Sequence, residues 1–321
     1  MAEPVTNILT VDVEDWFHVL EAEGQGGYSR EAWGDLESRV EANTDRLLGL
    51  FDEAGARATF FVVGWIARRH PALVRRIAEA GHSLGSHSFW HEVLGRHDRN
   101  SLRADLDASR RLLEDLSGQG VSGFRAPGAS ITPRVAWSFD LLVEAGYGYD
   151  ASLCPGVSSH GGYPSGFWGP HRVRCESGWL DEIPSSTMAV AGRHVPYAGG
   201  GYLRLLPVAW VQHCIRRDNR NGIPTNVYVH PREIDPDQPR MALSRLRSFK
   251  YYVGLASAEA KLRVLLRDHT WVGVEQWLEA HRGELAERVL DVRADARRYP
   301  PSPDPRGVPP APDLDSGALG I

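Results

Sequence analysis

Short apolar runs alternate with longer amphipathic stretches over the first half of the chain. The runs at 8–13 (ILTVDV) and 58–63 (ATFFVV) consist mainly of β-branched and aromatic side chains, which favour buried strands. Between them, the segment 39–54 repeats apolar side chains three and four residues apart, which is typical of an amphipathic helix. Strands that alternate with helices in this way predict an α/β fold with a mainly parallel sheet.

Proline and glycine mark the limits of the next helices. Pro71 begins a helix that ends at Gly81, because proline suits the first turn of a helix and glycine suits the residue past its end. The same pair of signals, Pro133 and Gly146, predicts a further helix. Short apolar runs and helical spacing predict the remaining elements: strands at 82–87, 146–150 and 225–230, and a helix at 257–269.

The segments outside this pattern show little periodicity. Residues 151–204 are rich in glycine, proline and aromatic side chains, which predicts long ordered loops. Residues 299–321 contain seven prolines and almost no large apolar side chains, which predicts a flexible tail. We therefore expect one domain over residues 1–298, with a helical extension at its C-terminal end, followed by a proline-rich tail.

The composition restricts the partners and the compartment. With 36 basic and 41 acidic side chains, the net charge of -5 disfavours broad attraction to nucleic acid. The three cysteines lack metal-type spacing and are odd in number, so a reducing compartment fits best. The first residues lack a signal-peptide pattern and no run of about 18 apolar residues occurs, so we expect a cytoplasmic protein without a transmembrane segment. The oligomeric state stays open.

Three carboxylates, Asp12, Glu14 and Asp15, stand together at the end of the first predicted strand. Because side chains alternate along a strand, Asp12 and Glu14 share a face, and Asp15 joins them only if the chain turns there. The alternative is a solvated loop in which one acid caps a helix. Their position after a buried strand favours a function, since unpaired buried charge is costly.

Three further motifs follow later predicted strands. In HSFWH, His87 and His91 are four residues apart, a spacing that lets both imidazoles reach one divalent ion but that also occurs in surface pairs. Arg125 opens the sequence RAP, and His230 ends the run VYVH. The carboxyl ends of strands in a β/α barrel meet at one rim, so these residues are expected to converge there.

Together, TVDVED, HSFWH, RAP and VYVHP resemble the ordered motifs of the polysaccharide deacetylases, the NodB-homology enzymes of carbohydrate esterase family 4. The resemblance extends from about residue 6 to residue 235. The segments GGGYLRLLP, HPREIDPDQPR and SRLRSFKYY are similar to the branch associated with exopolysaccharide and exosortase systems. The resemblance implies a distorted (β/α)7 barrel.

The resemblance also implies a role for each matching residue. Asp12 corresponds to the general base that deprotonates the attacking water, and Arg125 to the arginine that holds this base. His87 and His91 correspond to ligands of one divalent ion, with zinc expected first and cobalt, nickel, iron or manganese as alternatives. His230 corresponds to the general acid that protonates the leaving amine.

Two motifs depart from the family pattern. The usual first motif has two adjacent aspartates, whereas this chain has Asp-Val-Glu-Asp, so both Glu14 and Asp15 are candidates for the carboxylate ligand. We favour Glu14, because it shares a strand face with Asp12. Gly128 and Ala129 stand where an aromatic residue and a glycine are usual.

Several residues near the motifs are candidates for contact with sugar. Aromatic side chains stack on the apolar faces of sugar rings, and a backbone N–H of the turn 125–129 suits an oxyanion. The substrate-binding candidates are Trp16, Pro127, Gly128 and Tyr202. For a second, basic set we favour a solvated helix face over contact with the phosphate of a nucleotide-linked or lipid-linked sugar: Arg204, Arg240, Arg245, Arg247 and Lys250.

The predicted function is metal-dependent removal of N-acetyl groups from N-acetylhexosamine units of a glycan, oligosaccharide or sugar conjugate. An O-acetyl esterase is the first alternative, since the same site attacks either acyl link. A catalytically silent carbohydrate-binding barrel is the second, and the completeness of the motif set argues against it. The particular saccharide, its length and its carrier stay open.

Overall fold

The computed structural model describes residues 5–20, 27–156 and 162–301. The strands in these residues are β1 (Asn7–Val13), β2 (Thr59–Val62), β3 (Ser83–Ser86), β4 (Gly123–Phe124), β5 (Tyr149–Asp150), β6 (His171–Arg174), β7 (Trp179–Glu182), β8 (Thr187–Val190), β9 (Arg193–Pro196), β10 (Asn226–Val229), β11 (Trp271–Val272) and β12 (Val289–Asp291). The helices are α1 (Val40–Glu53), α2 (Gly64–Arg69), α3 (Pro71–Glu79), α4 (Arg99–Ser117), α5 (Ser138–Glu144), α6 (Gly200–Leu205), α7 (Val208–Arg220), α8 (Arg245–Tyr252), α9 (Leu255–Asp268), α10 (Val274–His281) and α11 (Arg293–Arg298).

Seven parallel strands form the main sheet, in the order β10-β1-β2-β3-β4-β5-β7. The two ends of this row meet through hydrogen bonds that involve side chains. The Asn226 amide donates to Ser186 Oγ at 2.9 Å, and Asn226 Nδ2 donates to the Ile183 carbonyl oxygen at 3.4 Å. The predicted distorted (β/α)7 barrel is therefore confirmed, with a closure in which these side-chain bonds take part.

The central strand β1 separates two hydrophobic clusters. Ile8 packs with Phe61 and Tyr149, whereas Leu9 and Val11 belong to the larger cluster. Because side chains alternate along a strand, every second residue after Ile8 faces the same way as Ile8. This alternation directs the polar residues at positions 10 and 12 towards one side of the barrel.

The first predicted elements agree with the structure to within a few residues. The longest described helix, α4, was not predicted, although it carries clear signals. Its first turn has a capping box in which Asp98 and Ser101 bond each other's backbone amides, and Gly118 ends it at φ 68°. The helix predicted from Pro133 instead begins with a short 3-10 turn over Pro133–Val135.

The prediction of loops over 151–204 holds for residues 151–156 and 162–170 and is wrong from residue 171 onward. This segment contains β6 to β9 and α6, and β7 supplies the seventh parallel strand of the barrel. Each of these strands has four residues, which is too short to show a period of two. Gly178 and Gly192, at φ 146° and 75°, make turns that also look like loop signals in the sequence.

The C-terminal extension consists of β12 and α11, with β12 added parallel to β6. The Tyr299 ring lies 5.4 Å from the Arg134 guanidinium. The rest of the predicted flexible tail, from residue 302 onward, lies outside the described residues. None of the helices in the described ranges has both the length and the apolar character needed to cross a bilayer.

A buried pair of acids stands at the carboxyl ends of neighbouring strands. Asp150 and Glu182 are register partners in β5 and β7, and both are 0 % exposed. Ser152 Oγ donates to Asp150 Oδ1 at 2.5 Å, and the Leu153 amide donates to Glu182 Oε1 at 2.9 Å. Burial, and then the neighbouring charge of Asp150, raise the pKa of Glu182 well above its ordinary value. Glu182 therefore carries a proton at pH values where a free glutamate is ionised.

Glu182→Gln is expected to raise the melting temperature by about 3 °C at pH 8.5. For a chain of this size, this shift corresponds to an increase of about 1 kcal/mol in the free energy of unfolding. At low pH the acid is neutral in both the folded and the unfolded chain. As pH rises, the unfolded chain releases its proton first, so the wild-type free energy of unfolding falls, whereas glutamine does not titrate. Melting curves from pH 4 to 9 test this, with exposed Glu284→Gln as the control. A difference from wild type that is independent of pH would contradict it.

Candidate functional site

The structure brings the motif residues together at one end of the barrel. Asp12 is near the end of β1, while His87, Arg125 and His230 directly follow β3, β4 and β10. Because these strands run parallel, their carboxyl ends open on the same side. There they border a cavity of about 500 Å³, whose lining includes Asp12, Arg125 and His230.

Glu14 lies between the two motif histidines. Its Oε1 is 3.1 Å from His87 Nε2 and 2.9 Å from His91 Nε2, and all three side chains are buried. His87 Nδ1 lies 2.7 Å from the Arg125 carbonyl oxygen, to which it donates, and this hydrogen bond orients the ring with Nε2 towards Glu14. Although burial opposes ionisation, His91, His230 and His87 hold the pKa of Glu14 well below its usual value.

This group fits a divalent metal ion. One ligand atom from each of Glu14, His87 and His91 lies within 4.8 Å of the others. Two imidazoles and a carboxylate form a donor set that suits zinc and other first-row metals. The hydrogen bond from His87 Nδ1 to a backbone carbonyl fixes the ring in the orientation that leaves Nε2 for an ion.

Asp15 has a different environment from Glu14. Its carboxylate accepts hydrogen bonds from Ser38 Oγ at 2.6 Å and from the Arg39 amide at 3.1 Å, at the start of α1. It also accepts from the Trp16 amide at 2.9 Å. The structure therefore places Glu14, and not Asp15, beside the histidines, while Asp15 satisfies amides at a helix N-terminus.

The loop that carries His91 is held in an uncommon conformation. Ser88 and His91 have positive φ angles of 58° and 53°, which are costly for residues other than glycine. Asp105 of α4 accepts hydrogen bonds from the amides of Phe89 at 2.8 Å and Trp90 at 3.3 Å. Sequence reasoning missed Asp105 because it missed α4, whose apolar repeat was the available signal.

Arg125 orients Asp12. Its Nη1 donates to Asp12 Oδ1 at 2.7 Å and to Thr10 Oγ1 at 2.9 Å, and its Nε donates to the Ala151 carbonyl oxygen at 2.9 Å. The guanidinium also lies 4.3 Å from the centre of the Phe61 ring. These contacts fix Asp12 with Oδ1 occupied, and its other oxygen lies 3.9 Å from His230 Nε2.

His230 faces carboxylates on both sides of its ring. Nε2 is 3.7 Å from Glu14 Oε1, and Nδ1 is 3.4 Å from Glu233 Oε2. Burial opposes the charged imidazole, but Glu14 and Glu233 outweigh it and raise the pKa of His230 to about 9. His230 is therefore protonated at neutral pH.

Glu233 and Arg204 support His230, and the sequence signalled neither role. Glu233 accepts from Arg204 Nε at 2.8 Å, and Arg204 also donates to the carbonyl oxygens of Tyr251 at 3.0 Å and Val253 at 2.7 Å. Arg204 is 4 % exposed, so the expectation of a solvated side chain is wrong for this residue. It connects the environment of His230 to the end of α8.

The structure brings two of the four sugar-contact candidates to the cavity. Gly128 and Tyr202 line it, and Tyr202 is 36 % exposed. Trp16 is instead 3 % exposed and its indole N–H donates to the Glu37 carbonyl oxygen at 2.9 Å, so it does not present a stacking face there. Pro127 is buried and does not line the cavity in the described part of the chain.

The turn 125–129 leaves one amide for an oxyanion. The Arg125 amide donates to the Ser86 carbonyl oxygen, the Ala126 amide to Ser152 Oγ, and the Ala129 amide to the Ala126 carbonyl oxygen. Pro127 has no amide hydrogen to donate. The Gly128 amide has no hydrogen-bond acceptor among the described residues. Gly128 has a φ angle of 65°, a conformation that glycine adopts without steric cost. The residue lines the cavity.

The fold and this arrangement define a class of protein. It is a β/α barrel that carries a candidate metal site at the carboxyl ends of its strands, next to a carboxylate, Asp12, and a histidine, His230. Residues 33–149 match the family model described as polysaccharide deacetylase, and residues 151–279 match a domain of unknown function, DUF3473. The chain therefore contains a polysaccharide deacetylase domain, homologous to the deacetylases of carbohydrate esterase family 4. His87, His91 and Arg125 lie in the first match and His230 lies in the second, so the site draws on both.

Individual relatives agree with this family. A peptidoglycan-N-acetylglucosamine deacetylase of Bacillus cereus is 31% identical over 104 residues, 32% of this chain and 47% of that protein. A chitooligosaccharide deacetylase of Azorhizobium caulinodans is 31% identical over 100 residues, 31% of this chain and 45% of that protein. The matches thus span less than half of each curated relative. A crystal structure of a candidate polysaccharide deacetylase from Mycobacterium smegmatis superposes over 88% of this chain and 94% of that one, with a TM-score of 0.53 and 25% identity.

Proposed function

We propose that this protein is a metal-dependent hydrolase that removes N-acetyl groups from N-acetylhexosamine units of a glycan, oligosaccharide or sugar conjugate. One observation carries the proposal. A carboxylate held by two histidines, Glu14, lies 3.7 Å from His230, and His230 lies 3.9 Å from the second carboxylate, Asp12. A ligand set, a base and an acid therefore surround one point of the cavity, as hydrolysis of an amide requires.

Glu14, His87 and His91 would hold the ion, with zinc as the first expectation and cobalt, nickel, iron or manganese as alternatives. A divalent ion bound there would act as a Lewis acid on an acyl carbonyl oxygen and would make a water molecule easier to deprotonate. Gly128 lines the same cavity, and its amide would donate to the acyl oxygen as that oxygen gains charge.

Asp12 and His230 divide the proton transfers. Arg125 occupies Asp12 Oδ1, so Oδ2 is the atom that accepts the proton of the attacking water. His230 is charged at neutral pH and donates its Nε2 proton to the departing nitrogen, because an amide anion is too poor a leaving group to depart unprotonated. Glu233 keeps that imidazole charged and oriented.

Acetate release distinguishes this proposal from the two alternatives. The zinc-loaded protein is expected to release acetate from chitotetraose, and chelation is expected to stop the release. Release from O-acetylated xylotetraose alone would establish an esterase instead. Saccharide binding without release from either substrate, at full metal occupancy, would indicate the silent binding barrel. Asp12→Asn serves as the control for contaminating activity.

A further inference from the structure

Two basic side chains of the cavity lining, Arg232 and Lys250, form no ion pair with the described carboxylates that line it. Among the described residues, these carboxylates are Asp12, Glu14 and Glu233. The basic side chains that line the cavity, apart from the histidines, are Arg125, Arg204, Arg232, Arg247 and Lys250. Two of them, Arg232 in the turn after β10 and Lys250 in α8, form what we call the cationic wall.

The carboxylates of the cavity are already engaged. Asp12 pairs with Arg125 at 2.7 Å, and Glu233 pairs with Arg204 at 2.8 Å while also approaching His230. Glu14 lies between the motif histidines. Among the described residues, these three carboxylates form no ion pair with Arg232 or Lys250.

Arg232 is the strongest part of this observation. It is 6 % exposed, and its guanidinium donates only to uncharged oxygens, those of the Gln238 side chain at 3.2 Å and the Tyr251 carbonyl at 3.4 Å. It stacks on the Tyr251 ring at 3.4 Å and forms no ion pair within the described ranges. A buried cation that forms no ion pair of its own is costly, and an anion bound beside it would offset part of that cost.

Lys250 extends the cationic wall to the rim. It is exposed, lines the cavity, and forms no ion pair with any residue that the structure describes. Its backbone is held in place, because Arg204 Nη2 donates to the Lys250 carbonyl oxygen at 3.2 Å. The charge therefore sits on a fixed helix end beside the site, in a chain whose net charge is -5.

We propose that this wall binds an anionic group of the substrate, a phosphate or a carboxylate, on the acetylated sugar or on the sugar next to it. Arg232 and His230 line the same cavity, so an anion bound at Arg232 would belong to the molecule whose amide reacts. Guanidinium and ammonium groups form their strongest hydrogen bonds with such anions. The inference rests on the proposed function, since it assigns a charge class to the substrate of that same site.

Activity on three substrates tests the proposal: neutral chitotetraose, N-acetylglucosamine 1-phosphate, and a tetrasaccharide of alternating N-acetylglucosamine and glucuronate. At low salt, kcat/KM for at least one anionic substrate is expected to exceed that for chitotetraose by about tenfold. This preference should weaken as salt is added. The phosphate and carboxylate substrates show which anion the wall prefers. Equal or higher activity on chitotetraose than on both anionic substrates would overturn the proposal.

A matched pair of variants locates the effect. Lys250→Met should reduce the ratio of anionic to neutral kcat/KM by about tenfold, mainly through KM. Arg245→Met removes one positive charge from the same helix at an exposed position that does not line the cavity, and should leave the ratio unchanged. An equal fall of this ratio in both variants would show that the overall positive charge of α8, and not the cationic wall, causes the preference for anions.

A binding measurement separates this inference from the proposed function. Calorimetry measures the affinities of the protein for N-acetylglucosamine 1-phosphate and for N-acetylglucosamine. The metal is removed first, because a phosphate bound to the ion would otherwise add to the affinity. About tenfold tighter binding of the phosphate, lost in Lys250→Met and kept in Arg245→Met, supports the wall even if no substrate is turned over. Equal affinities for the two sugars would refute it even if acetate is released.

Discussion

His91→Ala is expected to weaken zinc binding at least about 100-fold and to abolish acetate release, while the barrel stays folded. His91 is one of three side chains that converge on Glu14 Oε1, and it lies in a loop outside the hydrophobic clusters. His87→Ala should have the same effect. Elemental analysis and zinc competition measure the binding, and circular dichroism checks the fold. Full metal content in either variant would contradict the proposed site.

The two neighbouring acids provide a matched control for this prediction. Glu14→Gln should lower zinc affinity with little change in melting temperature. Asp15→Asn should lower the melting temperature and leave zinc affinity nearly unchanged. The Asp15 carboxylate accepts hydrogen bonds from Ser38 Oγ and the Arg39 amide at the start of α1. Loss of such a cap costs about 1 kcal/mol. Lower metal content in Asp15→Asn than in Glu14→Gln would transfer the ligand role to Asp15.

Asp12→Asn is expected to lower kcat by about 1,000-fold without loss of bound metal. The neutral amide cannot accept the proton of the attacking water, whereas the Glu14 and histidine side chains are unchanged. The amide oxygen can still accept the hydrogen bond from Arg125 Nη1, so the local structure should persist. Metal content and kcat are measured on the same preparation. Joint loss of metal and activity would make Asp12 a ligand and not a base.

His230→Ala should affect substrates according to their leaving groups. An N-acetyl amide needs a proton to depart, so its hydrolysis should fall by about 100-fold or more. An activated aryl acetate departs without a proton and should be affected little. Equal losses on both substrates would remove the acid role and leave His230 as a binding or structural residue.

The pH profile gives an independent test of the same residue. An acid must be protonated to act, so activity should fall as pH rises through the pKa of His230, which the Glu14 and Glu233 carboxylates raise against the effect of burial. This fall in activity, the alkaline limb of the pH profile, should disappear in His230→Ala. In Glu233→Gln the limb should shift to lower pH, because one of the charges that stabilise the imidazolium is removed. An unchanged limb in Glu233→Gln would contradict this electrostatic coupling.

The sequence was sufficient to locate the rim of the barrel. Strands β1 and β2 are rich in β-branched and aromatic side chains because both of their faces are buried. A charged or ionisable residue at the carboxyl end of such a strand has few structural uses, so Asp12 and His230 stand out. The alternation of side chains along a strand also favoured Glu14 over Asp15, and the structure places Glu14 beside the histidines.

Four-residue strands and contacts between residues distant in the sequence were beyond sequence reasoning. The four-residue strands of 151–204 have too few positions for a period to appear, although β7 completes the barrel. Trp16 looked like a sugar contact because it follows the first motif. Its indole reaches the Glu37 carbonyl 21 residues away, a contact that no local pattern signals.

By itself, the sequence determined the α/β class, the strand ends and the residue types that meet there, because these follow from patterns that extend over a few neighbouring residues. Only the tertiary structure decided which charges pair. Arg125 and Asp12 are 113 residues apart, and Arg204 and Glu233 are 29 apart. Their pairing leaves Arg232 and Lys250 on the cavity wall without an ion-pair partner among the described residues. Such pairings depend on how strands and helices pack in space, and spacing along the chain does not contain that information.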